Sequence, residues 1–144
     1  MLVHRLYDLQ QANALLPLVR EVFGAVRPMH RRLEQHAAEL VALGQQLNPA
    51  PDRPLPSAII EGRALMHRLA LDIHKNLSRL IERGIEVKSI DGLVDFRSSY
   101  HDRTVYLCWH WGEPEVHFYH ELDEGFAGRM LIHDPLAFAG AELN

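Results

Sequence analysis

The chain has 144 residues, 47% of them hydrophobic and 24% charged, with a formal net charge of −4 and a single cysteine. That length holds one domain with a hydrophobic core and not two comfortable ones, in the composition of a folded globular protein rather than a disordered chain. The charge argues against a nucleic-acid partner, which takes clustered Lys and Arg; one cysteine excludes an intrachain disulfide, and no apolar run reaches the ~18 residues of a membrane span.

Taken in chain order, the N-terminus MLVHRLYDLQQAN lacks the basic-then-apolar layout of a signal peptide, so a cytoplasmic protein is expected. Asp8 is placed as an N-cap with Gln11 three residues on, the spacing of a capping box, so a helix is predicted from Leu9. From there apolar residues keep a seven-residue rhythm: Leu9, Leu16, Phe23, His30, Ala37 and Gly44 at one position, and Ala12, Val19, Val26, Leu33, Leu40 and Leu47 at the other. Leu15, Val22, Met29 and Leu43 make the stripe broader than a minimal coiled-coil seam. Pro17 and Pro28 fall off the stripe, which predicts a bent helix, with a break near Arg27 as the alternative. Arg27, His30, Arg31 and Arg32 read as a solvated basic face.

The run Asn48 to Pro56 holds four prolines and cannot continue a helix; it is the expected connector. Ser57 is the expected cap of a second helix in which Ile59, Met66, Ile73 and Leu80 again fall seven apart, and Gly84 supplies its stop. Residues 8–84 are therefore predicted as an antiparallel helical hairpin. Of the ten histidines, His67 and His74 lie beside the second stripe and read as boundary or solvent positions, whereas His30 sits in the first seam, where a polar side chain sets register or packs at an interface.

Past Gly84 the period shortens to that of strands. Residues 85–87, 93–96, 104–111 and 115–122 are the predicted strands, with Asp91-Gly92 and Gly112-Glu113-Pro114 as turns; 85–129 is the sheet with its glycine-containing loop and 130–144 a tail. Side-chain alternation proposes Trp111 opposite Val116, Trp109 opposite Phe118, Leu107 opposite His120 and Val105 opposite Leu122. That apolar face is expected on the helices, carrying His120 inside, where it needs a partner: Asp95, Glu121 or a helix residue. The other face then opposes His110 with His117, Cys108 with Tyr119 and Tyr106 with Glu121.

Two kinds of site follow. His110, His117 and Cys108 are candidate ligands for a divalent metal ion, although no established metal spacing is present. Asp95, His120 and Glu121 form a candidate acid–base group at the sheet end, with Arg129, Glu113 and Trp109 as candidate ligand-binding residues and Arg129 suited to an anion. Cys108 in mid-strand packs rather than serving as a nucleophile.

The stretches YDLQQANALLPLVR, GLVDF and VYLCWHWGEPEVHFYHELDEGFAGR resemble the DUF2203 family of small prokaryotic proteins, described only as a domain of unknown function. The resemblance runs over nearly the whole chain and implies no activity. Gly92, Asp95, Cys108, Trp109, Gly112, Glu113, His120, Glu121, Gly125, Phe126, Gly128 and Arg129 match its motif positions. Position 110 is more typically arginine there and 117 is not typically histidine, which turns attention from His110 and His117 to His120. The expected architecture is α+β: a long antiparallel helical hairpin, coiled-coil-like, packed on a three- to four-stranded antiparallel β-meander in one domain, residues 1–144. The expected function is a homodimeric binding module, dimerised through the hairpin, whose polar cluster takes a small anionic ligand; the alternative is a metal-assisted or acid–base hydrolase using Asp95, His120 and Glu121.

Overall fold

A computed structural model of the protein describes residues 5–47 and 54–142. Strand β1 (Arg5–Leu6) leads into helix α1 (Leu9–Ala14), whose N-cap Asp8 and residue Gln11 form the reciprocal capping box that their spacing predicts. A turn at Leu15 separates α1 from α2 (Leu16–Leu47). The interruption is therefore at Pro17 rather than Pro28. Pro17 lacks the N–H that would continue the ladder to Asn13, so the helix restarts with proline in its first turn, where no donor is needed. Pro28 lies inside a continuous α2, on an exposed position, with the carbonyl it frees on Gly24, also exposed.

Most of the predicted connector, 48–53, lies outside the described residues. Helix α3 (Ser57–Ile81) starts after Pro56 with no side-chain cap, so Ser57 is its first residue and not its cap. Its end is as expected: Gly84 takes φ 79°, and the Ile85 amide returns to the Leu80 carbonyl. The two helices pack as an antiparallel hairpin.

The chain then forms β2 (Glu86–Ser89), β3 (Leu93–Tyr100), β4 (Arg103–His110), β5 (Phe118–Glu121), β6 (Met130–Leu131), β7 (Phe138–Ala139) and β8 (Ala141–Glu142). The main sheet is antiparallel in the order β2-β3-β4-β5-β6, with β7 on the far end of β3, while β8 pairs with β1. This α+β architecture is the predicted one with a larger sheet. The β3–β4 hairpin is longer than its predicted strands because His101 and Asp102 both adopt left-handed conformations, φ 47° and 62°, which make a two-residue turn without glycine. The stretch after Arg129, read from sequence only as a tail, returns to supply β6, β7 and β8.

Val94, Phe96, Val105, Leu107 and Trp109 point from β3 and β4 onto Val19, Val22, Phe23 and Val26 of α2 and Leu80 of α3, forming the core. The apolar face of the Trp109 strand thus covers the helices as alternation predicts. Gly92 closes the β2–β3 turn at φ 116°, and a Cβ there would come within 2.7 Å of the Trp111 Cβ. Gly92→Ala is expected to lower stability by about 2 kcal/mol, read as a shift in the urea midpoint.

Candidate functional site

The β4–β5 register corrects the predicted one by a single residue. Val105 pairs with Glu121, Tyr106 with His120, Leu107 with Tyr119 and Cys108 with Phe118. The cause is the connection. Residues 111–117 form a wide loop instead of a tight turn: the Glu113 side chain accepts the His110 amide, its carbonyl accepts Trp109 Nε1, and the Val116 amide donates to Asn13 on α1 rather than to the ladder. Arg20 of α2 fastens the same loop through the Pro114 carbonyl.

A one-residue slip moves every side chain of β5 to the opposite face. His120 therefore leaves the helix-facing side and joins the other side of the sheet, where the ladders also place Asp95, Arg97, Tyr106, Cys108, Phe118 and Glu86. It is still buried, at 2% exposure, and so are Asp95 and Cys108. Asp95 is the ladder partner of Cys108, and one ligand atom from each of Asp95, Cys108 and His120 lies within 4.8 Å of the others.

The hydrogen bonds of His120 constrain its protonation. Nδ1 stands 2.9 Å from the Glu121 carbonyl, which has no proton to offer, so Nδ1–H is the donor. Nε2 stands 3.1 Å from both carboxylate oxygens of Asp95. A neutral imidazole with its proton on Nδ1 would turn a lone pair toward that carboxylate, so a cation must sit between them, either a proton or a metal ion. Burial pushes the Asp95 carboxyl above the usual carboxylate range, opposed by His120 and by the hydrogen bond to Cys108. Burial also pushes the Cys108 thiol up, reinforced by Asp95, with Arg129 acting in the opposite direction.

Glu121 does not join this group. Its side chain points to the other face and forms a fork with Arg103 at 2.7 Å, which holds its carboxyl below the usual range. Only its carbonyl serves His120. His110 and His117 are not cross-strand partners either: pairing stops at Cys108 and Phe118, His117 is an exposed loop residue, and the His110 ring lies by Phe126. The third proposed metal ligand, Cys108, sits instead with Asp95 and His120. Arg129 binds Glu113 at 2.6 Å and lies over the rings of Phe118 and Phe126, with its side chain nine-tenths buried. Trp109 lies on the helix side, where its indole fastens the loop.

Beside the cluster, Glu86 accepts from Arg97 at 2.7 Å, Tyr106 at 2.9 Å and Lys88 at 3.1 Å, a network that the sequence reading missed. The Tyr106 ring lies against His120, 5.3 Å between centroids, so this network buttresses the imidazole. Burial works to raise the Glu86 carboxyl, and the three donors outweigh it, leaving Glu86 below the usual range. A depressed acid contributes stability that is complete above its unfolded pKa and disappears as pH falls through its folded value. Glu86→Gln is accordingly expected to cost about 1 kcal/mol at pH 7, shrinking toward zero as acid titrates the wild-type carboxylate, measured by urea unfolding across that range.

A family model described as an uncharacterized conserved protein, DUF2203, matches residues 5–132. No curated protein and no solved structure matches the chain.

Proposed function

Since the chain belongs to the DUF2203 family, whose description states no activity, we propose from the site alone that it is a binding module for a zinc-class divalent ion held by Asp95, Cys108 and His120. The observation that carries this reading is the His120 ring: its Nδ1–H is committed to a backbone carbonyl while Nε2 faces a carboxylate, with a thiol alongside. This is the arrangement of a metal-ligating histidine oriented by an outer hydrogen bond. Ions held at about 2.0–2.3 Å by a tetrahedral set keep ligand atoms about 3.3–3.6 Å apart. The His120–Asp95 separation of 3.1 Å and the 4.8 Å limit on the group bracket that spacing. Thiolate and imidazole favour zinc over magnesium or calcium, which take oxygen ligands.

The acid–base hydrolase alternative loses Glu121 to Arg103, which leaves binding as the better-supported activity. No helix among the described residues is long and apolar enough to cross a membrane, and a buried free thiol as a ligand suits the reducing cytoplasm. The test is a zinc titration of chelator-treated protein followed by calorimetry. One equivalent bound per chain is the expected result, and no binding above a non-specific background contradicts the reading.

A second observation favours a homodimer through the hairpin. No residue of α2 beyond Val26 is buried, and Val41, Ile60 and Leu71 are exposed on the two helices. Exposed apolar positions on a long arm are covered economically by a second copy of the same arm. Light scattering at micromolar concentration is expected to give the dimer mass, and Leu71→Asp to shift it toward the monomer; a wild-type monomer would count against the pairing.

A further inference from the structure

We propose that the remaining coordination position of the Asp95, Cys108 and His120 centre takes an oxyanion, a carboxylate or a phosphate group, and that Arg129 is the side chain that holds it. This rests on the metal reading above. Three protein ligands leave a tetrahedral ion one position short, and centres of that kind complete themselves with water or a substrate atom.

Arg129 is the cation beside the Cys108–Phe118 ladder pair. Its guanidinium lies 4.0 Å from the centre of the Phe118 ring, and Phe118 is the ladder partner of Cys108. It is also the positive group that acts on the Cys108 thiol. Glu113 takes Nη2, but Nε is buried without a hydrogen-bond partner among the described residues. A buried donor on a charged group calls for an acceptor, and guanidinium matches planar carboxylate and phosphate edges. An oxyanion with one oxygen on the ion and another on Arg129 satisfies both deficits at once. The outer side of Arg129 is the ring of Phe126, itself half-exposed, so a ligand gains access by displacing that ring and the short turn Phe126–Gly128 that carries it.

The probe is the protein loaded with Co²⁺, whose visible bands report its coordination, titrated with inorganic phosphate and separately with acetate, against chloride at matched ionic strength. A saturable change in those bands is expected; a response to phosphate alone assigns phosphoryl ligands, and one to acetate alone assigns carboxylates. Arg129→Gln is expected to weaken the responding anion roughly tenfold or more, with Co²⁺ affinity nearly unchanged and Arg129→Lys intermediate. Co²⁺-loaded wild-type protein whose spectrum responds to neither anion overturns this inference and leaves the metal reading standing. Failure to bind Co²⁺ through a thiolate, seen as a missing sulfur-to-cobalt charge-transfer band, overturns both.

Discussion

Cys108→Ala and His120→Ala are each expected to weaken zinc binding by roughly a hundred- to thousandfold. Structural zinc sites are worth about 10–16 kcal/mol in all, so losing one ligand of a small set removes about 3–4 kcal/mol. Zinc should stabilise the wild type by about 2.7 kcal/mol at a hundredfold excess over its Kd, and leave these variants nearly unmoved. Both side chains are buried, so folding of the variants is checked first by circular dichroism. Glu121→Gln is the informative control. Glu121 adjoins His120 in sequence, yet its side chain is turned to Arg103 on the other face, so this variant should keep its zinc. Zinc bound by Cys108→Ala with wild-type affinity, or weakened equally in Glu121→Gln, would contradict the assignment of ligands.

Trp109→Ala is expected to cost about 4 kcal/mol of unfolding free energy, close to the limit that a domain of this size tolerates. Trp109 is completely buried in the layer between β4 and α2, and its indole N–H donates to the Glu113 carbonyl at 2.9 Å. Truncation therefore opens a large cavity and releases the loop whose width sets the β4–β5 register. Trp109→Phe keeps most of the volume but removes the shorter of the two bonds to that carbonyl, leaving it the Arg20 guanidinium at 3.4 Å, for an expected loss of about 1 kcal/mol. Chemical denaturation of the three proteins gives the comparison. Equal stability of Trp109→Ala and wild type would mean that the sheet does not pack on the helices through this residue.

What the residues disclosed on their own follows the range of the forces involved. Asp8 with Gln11, the heptad stripe as far as Val26, and Gly84 act within one or two helical turns, and each stands where its spacing puts it. The apolar face of Val105, Leu107 and Trp109 was equally legible, because alternation is local to a strand. The pairing of β4 with β5 was not. Gly112-Glu113-Pro114 has the composition of a tight turn, whereas the real connection is widened by bonds from Asn13 and Arg20, about a hundred residues away in the chain. One residue of slip sent His120 to the opposite face, where Asp95 meets it with a carboxylate and Glu121 with its backbone carbonyl alone, and Cys108 moved from the company of His110 and His117 to that of Asp95 and His120. Residues in β6 to β8 are too short and too dependent on non-local pairing for any periodicity to announce them.

X-ray absorption at the zinc edge of the metal-loaded protein tests the central claim most directly. The coordination proposed here requires one sulfur at about 2.3 Å together with nitrogen and oxygen neighbours at about 2.0–2.1 Å, and the sulfur shell should vanish in Cys108→Ala. A wild-type spectrum fitted entirely by nitrogen and oxygen, with no sulfur, would place the ion elsewhere and contradict the account.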